Sequence, residues 1–301
     1  LFLFKNLLLS LIIIVFAFVL TSFVDQNSVS YGSLSLFLLC TIIIFSFQWI
    51  VFIPSYFLST EHFFDLTGSV TFITVSILAF LMNDTKNLRH LIVLILVIIW
   101  ALRLGTFLFL RIKETDSDSR FVTIKKDFSV FLLTWNLQGL WVLFTLFGAL
   151  TILTSNNNNN LGVLDIIGVL IWMIGFIIEV VSDKQKSEFR NNKSYLGKFI
   201  QSGLWRYSRH PNYCGEILLW IGIALIGISV YSGFGWLGLA SPFFVFVMLN
   251  YISGVRLLEK QADERWSEDN EYQLYKSKTP VLFPYKFIKD WKSKVMAIVP
   301  S

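Results

Sequence analysis

Eight stretches of this chain come close to the length of apolar helix that a bilayer's hydrocarbon requires, about 20 residues: 7–24, 34–53, 67–82, 88–110, 128–153, 161–182, 213–231 and 236–255. Backbone N–H and C=O groups in hydrocarbon must be satisfied within helices or closed barrels, and runs this long and continuous are read as helices. Of the 301 residues 55% are hydrophobic and only 15% charged, against about 25% charged in soluble domains. A water-soluble globule is excluded. The expectation is an all-α, polytopic integral membrane protein with about eight transmembrane helices.

The orientation follows from the basic residues. Placing the N-terminus in the cytosol puts 22 of the 25 Lys and Arg on that side, leaving Lys86 and Arg89 on the far side and Arg103 inside a span. Both termini and the 183–212 loop are then cytosolic. The net charge of +5 is explained by such loops beside acidic lipid headgroups, so membrane lipids are the expected partners and nucleic acid is not. Lys5 ahead of the first apolar run is read as flanking a first helix, because no small-residue cleavage site follows.

Several local patterns carry no function on this reading. Cys40 and Cys214 cannot build a disulfide framework, and His62, His90 and His210 are too far apart for a helical metal pair, so no metal is expected. Gly233-Phe234-Gly235-Trp236-Leu237-Gly238 matches a phosphate-loop spacing but joins two apolar helices, where glycine serves a tight connection. The Asn156 to Asn160 tract is expected to be a polar loop that packs against nothing. The sequons at Asn83 and Asn192 are not expected to carry sugar.

The stretch from Gly203 to Glu216 is different. Pro211 suits a first helical position, so a helix starts at the membrane surface with its unpaired N–H groups facing the cytosol. Arg206, Arg209 and His210 stand immediately before that end and suit a phosphate or pyrophosphate. Asn212, Tyr213 and Glu216 share one face of the new helix, with Glu216 about one turn below the surface, where a carboxylate must be paired or line a cavity. Interfacial anchoring is the plainer reading of either arginine alone.

Glu179, Asp183, Lys186 and Arg190 form a second cluster at the cytosolic end of the sixth span, spaced so that carboxylates and bases share a helix face. Carboxylates bind ribose hydroxyls or an amine while bases bind phosphate; a self-paired helix exit is the alternative. Arg103, mid-span, either closes a cavity together with Arg111, Asp116, Asp118 and Arg120 or forms a structural ion pair with Glu179 or Glu216. Arg256 to Trp266 reads as an amphipathic helix leaving the membrane, with Glu259, Asp263, Tyr272 and Tyr275 in a packing tail.

Taken together, Phe64 to Ser69, Trp100 to Leu104, Asp118 to Phe121, Trp135 to Gly139, Asp183 to Lys186, Gly203 to Glu216 and Tyr272 to Pro284 resemble the DUF1295 family, relatives of the steroid 5α-reductase C-terminal domain and more distantly of the sterol C14 reductases. The resemblance divides the chain into N-terminal transmembrane helices over 1–60 and a reductase-like membrane domain with its cytosolic tail over 61–301. It implies a cytosol-facing pocket for NADPH and reduction of a carbon–carbon double bond in a small lipid-like substrate, in the endoplasmic reticulum membrane if the source is eukaryotic. By motif it implies that Glu179, Asp183, Lys186, Arg190, Arg206, Arg209, His210 and Asn212 hold the cofactor, that Glu216 and Tyr213 are catalytic, and that Arg103 and Gln138 meet the substrate. Trp100 stands where the steroid reductases place a Tyr, and Gln48-Trp49 where they have Gln-Glu, which points away from a steroid.

Two rivals use the same residues. An S-adenosylmethionine-dependent lipid or isoprenylcysteine methyltransferase would hold its cofactor's carboxylate at the Arg-His-Pro helix start, although Lys260 and Gln261 follow Glu259 where such enzymes favour a Glu-Glu pair. A membrane scaffold retaining an old pocket is the third. Substrate identity and oligomeric state stay open.

Overall fold

The computed structural model describes residues 2–24, 28–115, 121–157 and 159–284. Asp116, Asp118, Arg120 and Asn158 lie outside them. The helices are α1 (Phe2–Phe23), α2 (Leu36–Phe57), α3 (Phe64–Met82), α4 (Leu88–Thr115), α5 (Phe121–Ile124), α6 (Phe128–Leu153), α7 (Val163–Asn191), α8 (Pro211–Gly227), α9 (Ala240–Val247), α10 (Val255–Trp266) and α11 (Asn270–Lys278). A two-stranded antiparallel hairpin, β1 (Ser30–Tyr31) and β2 (Leu34–Ser35), links α1 to α2.

This is an all-α multi-pass membrane protein: among the described residues seven segments are long and apolar enough to cross a bilayer. The run expected at 213–231 is realised as the shorter α8. Helix α8 stops at Gly227, whose carbonyl takes the N–H groups of both Val230 and Tyr231, both at 2.9 Å. A Cβ at Gly227 would lie 2.0 Å from the Tyr231 ring, so the turn requires glycine. The last run is broken into a 3-10 helix at Gly233–Leu239, α9 and a π-helical turn at Met248–Ile252.

The chain divides into two compact units, residues 1–168 with 223–241, and residues 169–222 with 242–301. In the first, α6 is the axis: it touches α1, α2, α3 and α4, and nearly every residue from Val142 to Leu153 is buried. Its start is capped by Asp127, which accepts from the N–H groups of Ser129 and Val130 at 2.8 and 3.0 Å. The Ser129 hydroxyl above all, then the Val130 N–H, hold that carboxyl below the usual range. Helix α1 inverts the soluble pattern. Most of its Leu, Ile and Phe side chains are exposed, while Asn6, Ser10, Ala17 and Thr21 are buried, as suits a helix whose outer solvent is lipid.

One end of this unit, where α4 and α7 begin, is tied by Arg89 and Asp165, which meet at 2.7 and 3.0 Å with side chains 0% and 4% exposed. Arg89 also donates to the carbonyls of Asn159 and Asn160, both at 2.9 Å. The Asn tract, expected to touch nothing, is therefore fastened by its backbone to a buried arginine. Asn83 is fully buried as well, its amide donating to the carbonyls of Leu153 and Ser155.

Candidate active site

Ten of the twelve residues singled out in the sequence lie in the second unit, on the C-terminal half of α7, the turn before α8 and the start of α8. Two glycines set the geometry. A Cβ on Gly215 would lie 2.6 Å from the Gly175 carbonyl oxygen and 2.7 Å from the Glu179 amide nitrogen, and one on Gly175 would lie 2.6 Å from the Gly215 oxygen. Helices α7 and α8 thus cross backbone against backbone, which small residues alone permit. The crossing lays Gly215, next to Glu216, directly on Glu179.

The turn is docked onto α7 by its own short 3-10 helix, Gly203–Arg206. Gly203 has φ +59°, and its missing Cβ leaves room for the Gln185 amide, whose oxygen accepts from Leu204 N at 2.9 Å. The Trp205 indole donates to the Ser182 carbonyl at 3.1 Å, and the Lys186 ammonium stands 4.8 Å over the Trp205 ring. Glu179, Asp183, His210 and Glu216 are buried, Lys186, Arg209, Asn212 and Tyr213 half-buried, and Arg190 and Arg206 exposed.

Sequence reasoning missed what holds the helix start. Glu259 of α10 receives His210 Nε2–H at 2.8 Å on one oxygen and meets Arg209 Nη2 at 3.2 Å on the other. Arg209 and His210, expected to stand free for an anion, are tied into the protein. Their backbones are tied too: Arg209 N–H donates to Pro280 O at 2.9 Å and His210 N–H to Val281 O at 3.1 Å. Tyr275 donates to the Trp205 carbonyl at 2.7 Å, while Asp263 accepts from Tyr272 and Lys276. The tail, read as packing, closes over the site. Its aromatic content was the available signal; the pairing of Glu259 with residues 49 and 50 positions earlier was not.

Three polar atoms at this helix start are buried without a hydrogen-bond partner: Arg209 Nε, His210 Nδ1 and Asn212 Oδ1. Native interiors rarely leave such groups bare; ordered water, an ion or a catalytic role is the usual explanation. With Nε2–H committed to Glu259, His210 presents Nδ1 as an acceptor. Burial foremost holds its pKa below the usual imidazole value, against the Glu259 hydrogen bond that pulls it up. Its ring stacks on Tyr213, at 5.6 Å between centroids and 9° between planes.

Arg103 and Gln138 belong to the first unit. Arg103 is half-buried on α4 with its guanidinium 5.3 Å from the Phe107 ring centre. Gln138 of α6 is buried, its amide nitrogen donating to the Phe64 carbonyl at 2.7 Å in space that a Cβ on Gly68 would occupy, while its oxygen has no partner.

Known proteins align with parts of the chain. It is 27% identical to an uncharacterized protein of Schizosaccharomyces pombe over 43% of this chain and 42% of that one. It is 30% identical to 3-oxo-5-alpha-steroid 4-dehydrogenase 1 of Macaca fascicularis over 40% of this chain and 41% of that enzyme, and 34% identical to the Homo sapiens enzyme of the same name over 28% and 30%. The chain thus spans less than half the length of the curated relatives it matches. No solved structure matches it. Residues 51–279 match the family model described as protein of unknown function DUF1295, and on that extent the chain belongs to the DUF1295 family.

Proposed function

We propose that this protein is a membrane reductase that uses NADPH to saturate a carbon–carbon double bond of a lipid-like substrate. The observation that carries the reading is the α7–α8 crossing. It sets acidic Glu179 and Asp183 beside a helix start whose Arg209, His210 and Asn212 keep buried polar atoms unpartnered. The partial likeness to two steroid 4-dehydrogenases supports the reductase reading.

In this reading exposed Arg190 and Arg206 take the phosphates as charge-assisted donors, with Lys186 held at the rim by Trp205. Glu179 and Asp183 accept from ribose hydroxyls or a carboxamide, and His210 Nδ1 and Asn212 Oδ1 from remaining donors. When bound, NADPH would supply the hydride. Glu216, beside the crossing, holds the proton that the neighbouring substrate carbon or oxygen requires, and Tyr213 is the second hydroxyl within the same helix turn. Arg209 acts as a positioning residue through Glu259. The endoplasmic reticulum is the expected membrane if the source is eukaryotic.

The test uses detergent-purified protein. NADPH should raise its thermal stability by RT ln(1 + [L]/Kd), about 2.7 kcal/mol at one hundred times Kd. Glu216→Gln should still bind NADPH yet reduce a conjugated lipid enone about 10²–10⁴-fold more slowly, the usual worth of general acid catalysis. Stabilisation by S-adenosylmethionine instead of NADPH would replace this reading with the methyltransferase, and stabilisation by neither would refute it.

A further inference from the structure

The helix start ahead of α8 looks in sequence like an anion site, yet the folded chain has already engaged the donors that an anion would need. Arg209 N–H and His210 N–H donate to the Pro280 and Val281 carbonyls at 2.9 and 3.1 Å. Arg209 Nη2 meets Glu259 at 3.2 Å, Arg209 Nη1 donates to the Lys276 carbonyl at 3.3 Å, and His210 Nε2–H donates to Glu259 at 2.8 Å. Pro211 has no N–H to contribute. What stays buried without a partner is one donor, Arg209 Nε–H, and two acceptors, His210 Nδ1 and Asn212 Oδ1. The acceptors outnumber the donor, and that decides the ligand.

Glu259 is the reason His210 accepts. A carboxylate has lone pairs only, so it draws the ring proton to Nε2 and leaves a lone pair at Nδ1. The stack on Tyr213, 5.6 Å between centroids and 9° between planes, fixes the plane in which that lone pair lies. Several charges act on the ring. Burial, the largest influence, disfavours the imidazolium, as do Lys186 of α7 and Arg209 of the same turn, while Glu259 of α10 favours it. Behind Glu259 stands Lys276, paired in turn with Asp263. The balance keeps the pKa of His210 below the usual imidazole value, and near neutral pH the ring is uncharged. The Glu259 carboxylate also compensates the Arg209 guanidinium, which removes the net positive charge an anion would seek.

We infer that Glu259, by fixing the His210 tautomer, makes this helix start a receptor for a neutral primary carboxamide, and that one proton on His210 turns it against that ligand. A primary carboxamide presents one acceptor and two donors, the complement of Arg209 Nε–H, His210 Nδ1 and Asn212 Oδ1. A carboxylate or a phosphate presents acceptors only and would set its lone pairs against two others. The inference rests on the reductase reading and narrows it: the amide of the nicotinamide, and not a phosphate, belongs beside Arg209 and His210. The same acceptors turn away the carboxylate of S-adenosylmethionine. Glu259 touches no ligand in this scheme and is a positioning residue that acts through His210.

The experiment measures dissociation constants of the detergent-purified full chain by quenching of its tryptophan fluorescence. The probes are NADP+, its nicotinic acid analogue, which carries a carboxylate in place of the carboxamide, and its 3-acetylpyridine analogue, which keeps the oxygen and lacks the NH2. At about pH 7.5 NADP+ should bind roughly 10- to 100-fold more tightly than the nicotinic acid analogue, with the acetylpyridine analogue between them. At about pH 5, where Nδ1 is protonated and donates, that preference should shrink to roughly threefold or less. Glu259→Gln, whose amide can donate to Nε2 as well as accept from it, releases the other tautomer and should narrow the preference at the higher pH roughly 3- to 10-fold. Nitrogen-15 labelling of the three histidines gives a readout free of any ligand: His210, identified by the signals that move in Glu259→Gln, should show an unprotonated Nδ1. The wild-type comparison needs no variant to fold. A proton on Nδ1 near neutral pH, equal affinity for NADP+ and the nicotinic acid analogue, or a preference unchanged between the two pH values would each overturn the inference while NADP+ binding left the reductase reading standing. Binding of none of the three dinucleotides would overturn both.

Discussion

Replacing Glu259 by Ala removes one carboxylate that serves both the Arg209 guanidinium and the His210 imidazole. Its side chain is only 19% exposed, while Arg209 and His210 are 11% and 6% exposed, so neither partner can recover its lost bond from bulk water. Hydrogen bonds involving charged groups contribute about 1.5–3 kcal/mol each. Simple addition gives about 3–6 kcal/mol, and leaving a buried charge unpaired costs about 3–5 kcal/mol. The residual exposure of Glu259 argues for the low end, about 3 kcal/mol. Glu259→Gln keeps an acceptor for His210 Nε2–H and should lose roughly half as much. The assay is thermal unfolding of detergent-purified protein followed by tryptophan fluorescence, with a double-mutant cycle against Arg209→Met. Independent effects of Glu259→Ala and Arg209→Met, or a loss under about 0.5 kcal/mol for Glu259→Ala, the range of ordinary surface changes, would refute the assignment of Glu259 as the anchor of the helix start.

Gly215→Ala should destabilise by about 1–3 kcal/mol, the usual cost of overpacking, because its Cβ meets α7 backbone that cannot rotate away; a melting curve identical to wild type would exclude the close crossing. Arg89→Met combined with Asp165→Leu should remain less stable than wild type, since the carbonyls of Asn159 and Asn160 and the Gly162 N–H lose their partners along with the ion pair. Full recovery in the double variant, read by protease resistance of the 155–162 loop, would show the pair to be dispensable. The fold should also lose stability in acid through His210. Its folded pKa is depressed, burial being the largest cause, with Glu259 opposing and Lys186 and Arg209 adding to the depression. The unfolded imidazole therefore takes its proton first, and stability is fully present above about pH 6.5 and declines as pH falls below it. His210→Asn should flatten that part of the profile, and an unchanged slope would assign it to other groups.

What the sequence disclosed and what it hid divide along one physical line. Hydrocarbon length, the position of Pro211, and the spacing of Glu179 and Asp183 concern neighbours along one helix, where periodicity is a direct guide. The spans, the helix start and the α7 face were accordingly legible. Glu259 was not, because its partners lie 49 and 50 residues away and no periodicity links positions that far apart. The Asn tract misled for a related reason. Its side chains carry no signal, and the contact with Arg89 uses backbone carbonyls that every residue has. The run at 213–231 overstated α8 because hydropathy does not register Tyr231 folding back onto Gly227.

The hydrogen bonds from Arg209 and His210 to the carbonyls of Pro280 and Val281 bear on how the protein is made. A ribosome completes α8 at Gly227 about fifty residues before it reaches position 280, at about 5–20 residues per second. For several seconds the spanning helices exist while the turn ahead of α8 has nothing over it. A nascent chain halted between α10 and residue 280 would be a fully inserted membrane protein with an unfinished pocket, one that quality control keyed to membrane insertion alone would accept.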